Sequence, residues 1–175
     1  MPNTFLEKIE YKVEETALGM WMRYGYEGGA SFHEFKSHAQ WLGMPFIHYT
    51  CGINPETGRR VVAKGIIAIG RIAMGFIAIG QLSIGLIAVG QLAIGILFGL
   101  GQLSTGLAAV GQGAIALYFG LGQFAVGQIV IAQFGYGKYV FAQFGLGENV
   151  LSMMRKDDAA IEFFKSFPVI KNFFH

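Results

Sequence analysis

The chain has 175 residues, a formal net charge of +2, 53% hydrophobic residues, only 14% charged residues and 26 glycines. A typical soluble domain carries roughly 25% charge and about half this share of glycine, so an ordinary globular composition is excluded. The near-neutral balance leaves no electrostatic footprint for nucleic acid, and the single Cys51 allows neither an intramolecular disulfide nor a cysteine-based zinc site.

Residues 1–44 read as an α-helical N-terminal cap. Thr4 with Glu7, and Ser31 with Glu34, match capping boxes at two helix starts. Phe5, Ile9, Val13 and Ala17, then Met20, Trp21 and Tyr24, recur at near-helical spacing and predict an apolar stripe. Trp21 and Trp41 are candidates for membrane-interface anchors or for packing within the cap. His33 and His38 flank Glu34 closely enough to suggest metal ligands, but no third ligand is evident and a polar helix face is favoured. The N-terminus shows no basic start followed by an apolar core, so no cleaved signal peptide is expected.

Residues 45–64 are predicted to form a capping hairpin, with "NPETG" supplying the turn. His48 and Cys51 lie near each other, but no group is evident to orient them as a nucleophilic pair. Arg59, Arg60 and Lys64 cluster just before the next zone. They are either a solvated turn or contacts to lipid headgroups that orient the N-terminal side toward the cytoplasm.

Residues 65–148 carry a pentad of large apolar, small, large apolar, glycine and variable residue, as in "IAIGR", "IAMGF" and "IAIGQ". Only Arg71 and Lys138 are charged between Gly65 and Gly147, and sixteen units run through Glu148, two of them one residue longer. The variable position alternates polar and apolar, which makes the structural repeat ten residues. Such self-similarity marks a solenoid. A helical bundle fits poorly, because five residues turn a helix by about 500° and wind the glycines round every face.

In a strand, the two large residues of "IAIG" share one side and the small residue takes the other. Ala68, Ala73, Ala78, Ser83, Ala88 and Ala93 are therefore predicted to face inward, with the bulky residues outward. An apolar exterior on that scale requires lipid or a protein partner. A β-helix meets the requirement that backbone polar groups in a membrane be satisfied internally. About eight coils at roughly 4.8 Å each rise ~38 Å, enough for ~30 Å of hydrocarbon. Arg71 and then Gln81, Gln91, Gln102, Gln112, Gln123, Gln133 and Gln143 form a column. It is read as a glutamine ladder bonded from coil to coil, as an oligomer seam, or as a pore lining in an assembly.

The stretch "NPETGRRVVAKGIIAIG" and the pentads after it resemble a group of bacterial proteins with an apolar glycine-rich repeat, proposed to form transmembrane β-helices. That resemblance implies the fold and a membrane location, and no activity.

Residues 149–175 are predicted to be an amphipathic tail, with Asp157 or Asp158 capping a short helix that Pro168 ends. The chain as a whole is thus expected to be mainly β: a single-chain β-helix with a helical N-terminal cap and a short C-terminal helix. The expected role is a structural or oligomerising scaffold in the bacterial cytoplasmic membrane, partnered by lipid and by copies of itself. No catalytic set, metal, cofactor, nucleic acid or small-molecule substrate is expected. An oligomeric channel, and a soluble filament or shell protein, stand as alternatives.

Overall fold

The computed structural model describes residues 9–167, of which 72% lie in strands and one segment is helical. The chain divides into two compact units, residues 1–82 and 83–175.

The first unit contains β1 (Lys12–Glu15), β2 (Gly19–Gly25), β3 (Ser31–Ser37), β6 (Ile47–Cys51), β7 (Ala63–Ile69) and the beginning of β8 (Ile72–Leu151). They form one mixed sheet in the order β1-β2-β3-β6-β7-β8, antiparallel as far as β6 and parallel beyond it. A separate two-stranded ribbon joins β4 (Gln40–Trp41) to β5 (Met44–Pro45) through Leu42 and Gly43, both at positive φ.

The described part of the predicted helical cap is therefore strand. In β3 the burial alternates, with Phe32 and Glu34 enclosed on one face while His33 and Phe35 are partly exposed on the other. A period of two won over the capping-box pattern. Val13 and Ala17, members of the expected helical stripe, are exposed and pack no core. Instead Thr16 and Gly19 exchange both backbone hydrogen bonds and close the β1–β2 hairpin. Thr4, Phe5 and Glu7 lie outside the described residues.

The predicted capping hairpin is also corrected. Its turn exists, with the Gly58 N–H donating to the Asn54 carbonyl at 2.9 Å and the Asn54 carboxamide oxygen accepting from the Glu56 and Thr57 amides. However, β7 runs parallel to β6, with Ile47 opposite Ile67 and Tyr49 opposite Ile69. The connection over residues 52–62 is long enough for the chain to cross back and set off in its original direction.

Between β7 and the beginning of β8 the register is ten residues. Ala63 pairs with Ala73, Gly65 with Gly75 and Ala68 with Ala78. These alanines form a fully buried cluster.

The second unit holds the rest of β8 and α1 (Asp158–Lys165). Here a side chain added at Gly101 would collide with the Gly90 carbonyl, and one at Gly111 with the Gly101 carbonyl. Gly122 meets the Gly111 carbonyl, and Gly137 and Gly147 meet those of Gly127 and Gly137 in the same way. Glycine thus lies over glycine at ten or eleven residues, with a backbone approach that excludes any Cβ. The helix α1 buries Ala160 and Phe164 against Leu151, with Ile129, Ile131, Tyr139 and Phe141 around them. The expected short C-terminal helix is present, while Pro168 lies outside the described residues.

Candidate functional site

Within the first unit, β6 lies against β7 and places polar side chains on its inner face. His48 and Thr50 are buried there, with Glu34 beside them on β3. His48 stands opposite Ala68 and therefore begins the column that continues through Ala78. His48 Nδ1 lies 2.8 Å from the Lys64 N and 3.1 Å from the Lys64 carbonyl, and its Nε2 lies 3.0 Å from Glu34 Oε1. Lys36 Nζ reaches the same carboxylate oxygen at 2.8 Å. Thr50 Oγ1 donates to the Val61 carbonyl at 3.1 Å. The hydrogen bond from His48 and the charge of Lys36 hold the Glu34 carboxyl below its ordinary range against the opposing cost of burial. In effect, side chains bond backbone groups where the repeat begins, as capping residues do at helix ends.

In the sequence His48 stands out only as a neighbour of Cys51. The structure puts them apart: His48 is buried, whereas Cys51, three positions on, is exposed on the opposite face of β6. His33 Nε2 lies 2.9 Å from Ser31 Oγ, and His38 Nε2 lies 3.1 Å from the Thr16 carbonyl. Neither shares a site with Glu34, and no group of three potential ligands converges among the described residues.

The outer face of the same sheet carries a row of register partners, Trp21, Phe35, Tyr49, Ile69 and Ile79. Trp21 packs on Phe35 at 4.9 Å and on Tyr49 at 5.9 Å between ring centres, with the Arg23 guanidinium 4.9 Å above it. Trp41 is exposed and touches Phe76 at 5.4 Å. Arg59, Arg60 and Lys64 are all exposed, as is Arg71.

Throughout the repeat, small residues are inside and large ones outside. Ala68, Ala73, Ala78, Ser83, Ala88 and Ala93 are fully buried, whereas Met74, Ile87, Leu92, Ile94 and many equivalents are exposed. Ser83 and Ser104 bond backbone carbonyls and so carry their hydroxyls without penalty. Toward the end the inner position changes to Val130, Gly135, Val140, Gly145 and Val150. A Cβ at Gly135 would press on Val130 and Val140, and one at Gly145 on Val140 and Val150. The glycines make room for the valines.

Gln81 in the first unit, and Gln91, Gln102, Gln112, Gln123, Gln133 and Gln143 in the second, are all exposed. No hydrogen bond joins one of these amides to the next among the described residues. The column is an exposed row of amide donors and acceptors without bonds from one to the next.

The end of β8 has its own polar closure. Arg155 donates from Nη1 to the Gly147 carbonyl at 3.1 Å and from Nη2 to the Glu148 carbonyl at 3.0 Å. Its Nε bonds Asp157 Oδ1 at 3.0 Å, while Asp157 Oδ2 accepts the Val150 N–H at 2.8 Å. That backbone bond first, and Arg155 second, hold the Asp157 carboxyl below its ordinary range. Asp157 precedes α1 as expected, but its side chain serves the strand and makes no cap bond to the helix.

No helix among the described residues is long and apolar enough to cross a membrane, a criterion that does not bear on strands. Compared with protein-family models, curated proteins and solved structures, the chain matches none.

Proposed function

We propose that residues 65–148 form a β-helix of ten-residue coils seated in a lipid bilayer, and that the protein is a non-catalytic membrane scaffold. The ten-residue pairing of β7 with β8, and glycine over glycine farther along, support the coil. One observation carries the membrane reading: the inside is filled by fully buried alanine, serine and valine, while isoleucine, leucine and phenylalanine stand outside. Water-soluble proteins rarely leave such contiguous apolar surface uncovered. The resemblance to glycine-rich membrane β-helix proteins agrees with it, and the membrane proposed is the bacterial cytoplasmic membrane.

A second reading concerns assembly. The unpaired amides of Gln91 through Gln143 are a regular row of donors and acceptors that a second copy can meet, since polar side chains hold apolar-solvent interfaces together. The reading is thus an oligomerising scaffold; the buried alanines leave no lumen within the repeat, so a pore would have to lie between copies.

Polarised infrared spectroscopy of the protein in oriented bilayers tests the proposal. The expected result is a dominant β amide band with interstrand hydrogen bonds along the membrane normal. A protein that stays in the aqueous phase when mixed with liposomes, or a helical amide band, overturns it.

A further inference from the structure

One part of the outward surface in the second unit is shaped as well as apolar. Phe124, Phe134 and Phe144 stack at 5.1 and 5.2 Å between centres, their planes inclined by 11° and 13°. Two positions along each repeat, Val126, Tyr136 and Leu146 make a parallel ridge, and every one of these six side chains is exposed. Between the ridges the chain offers Ala125, Gly135 and Gly145, which place no bulk on the outer side. The result is a groove of about 490 Å³. Ser152, Met154 and Arg155 line it where the strand ends, so its wall changes from hydrocarbon to polar there.

We propose that this groove holds the hydrocarbon chain of a single fatty acid, with its carboxyl end toward Ser152 and Arg155. The inference rests on the reading of the apolar flank as lipid-facing, and it names one specific occupant within it. Four features select that occupant. The ridges stand two strand residues apart, roughly 7 Å, which suits a single chain in width. The walls are aromatic and aliphatic with one phenol, Tyr136, and no charge until Arg155. The volume lies in the range of about 300–1,000 Å³ common to small-molecule sites. Finally, a groove three repeats long and two side chains wide is too small to supply the roughly 800 Å² per partner of a standard protein interface. Met154, exposed at the polar end, is the kind of adaptable side chain that accommodates chains of differing length.

The test uses the full chain in nanodiscs of phosphatidylethanolamine and phosphatidylglycerol, labelled with a diazirine-bearing palmitate and mapped by peptide mass spectrometry. Expected is saturable labelling of peptides containing Phe134, Tyr136 and Leu146 that excess palmitate competes away. F134A combined with Y136A lowers that labelling about tenfold, as loss of two stacking faces should. F134L retains most of it, and L117A, an exposed leucine outside the groove, leaves it unchanged. Non-saturable labelling spread along the flank in proportion to exposure overturns the groove and leaves the membrane reading intact. Protein–protein crosslinks through the Phe column in place of lipid adducts identify a second copy as the occupant and equally overturn it. Should the chain fail to enter nanodiscs, the membrane reading falls, and labelling of the same peptides in lipid-free buffer still decides the groove.

Discussion

Within the repeat, the volume of two facing inner residues is conserved more strictly than their identity. Where both are alanine early on, later rungs alternate valine and glycine, and Val130, Val140 and Val150 are fully buried. Read along the sequence, "IVIAQ", "FGYGK" and "YVFAQ" look like decay of the motif. Read in space, they are compensation, since the valine methyls fill what Gly135 and Gly145 leave. Gly135→Ala is therefore expected to destabilise by about 1–3 kcal/mol through overpacking. Adding Val130→Ala and Val140→Ala should make the same alanine nearly neutral, so the cycle shows a coupling of about 1 kcal/mol or more. Denaturant midpoints of the four proteins measure it, and simple additivity would dismiss the compensation. The pairing was written in the sequence, but its meaning depended on which residues face each other.

At the level of elements, the two ends of the repeat are finished differently: β6 pairs with β7 at the start and adds side-chain bonds to its backbone, whereas the end of β8 is closed by side chains. At the start, His48 and Thr50 meet the Lys64 amide and the Val61 carbonyl; at the finish, Arg155 and Asp157 meet Gly147, Glu148 and Val150. Exposed ladder ends template pairing with other chains, so Arg155 and Asp157 also guard against it at the end of β8. Arg155→Ala is expected to cost about 1–3 kcal/mol, because carbonyls and the Asp157 charge lose their partner. It should also permit concentration-dependent end-to-end association, visible by sedimentation velocity, and Arg155→Lys should restore little because lysine lacks the fork. Acidity addresses the other end. With its folded pKa lowered, Glu34 contributes stability that is complete above the unfolded carboxyl value of about 4.3 and disappears as pH falls through the folded value. Glu34→Gln should flatten the acid limb of a stability–pH curve while lowering stability at neutral pH; an unchanged slope would remove Glu34 from the closure. These closures were hidden from sequence reading. A hairpin over residues 45–64 would have kept β6 antiparallel to β7, and His48 reaches Lys64 only because the two strands run the same way. The N-terminal strands were hidden for a different reason, because Ser31 and Glu34 satisfy a capping-box pattern and a strand's alternation equally well.

For the molecule as a whole, the legible part was the part that repeats. The ten-residue period, the burial of Ala68 through Ala93 and the C-terminal helix could all be read from residue order, because local alternation and a fixed period determine them. What lay outside the repeat depended on contacts between distant segments and had no periodic trace. The period itself makes a prediction about length. Deleting residues 102–111 joins Gly101 to Gln112 in phase, and the shortened protein should fold with nearly the original cooperativity in a thermal melt. Deleting 102–106 instead sends leucine to the glutamine side and should impair folding or solubility; equal tolerance of both would refute a ten-residue unit. In an ordinary half-buried strand one inserted residue turns every later side chain to the wrong face. Here the extra residues near Phe98 and Phe119 do no such harm. Gly101 still lies on Gly90 and Gly122 on Gly111 at eleven residues, and Ser104, Ala109, Ala125 and Val130 are still enclosed. The glycine column thus works as a phase lock that re-zeros the count wherever glycine meets glycine, so that an error in length stays where it occurs and is not inherited by the residues that follow.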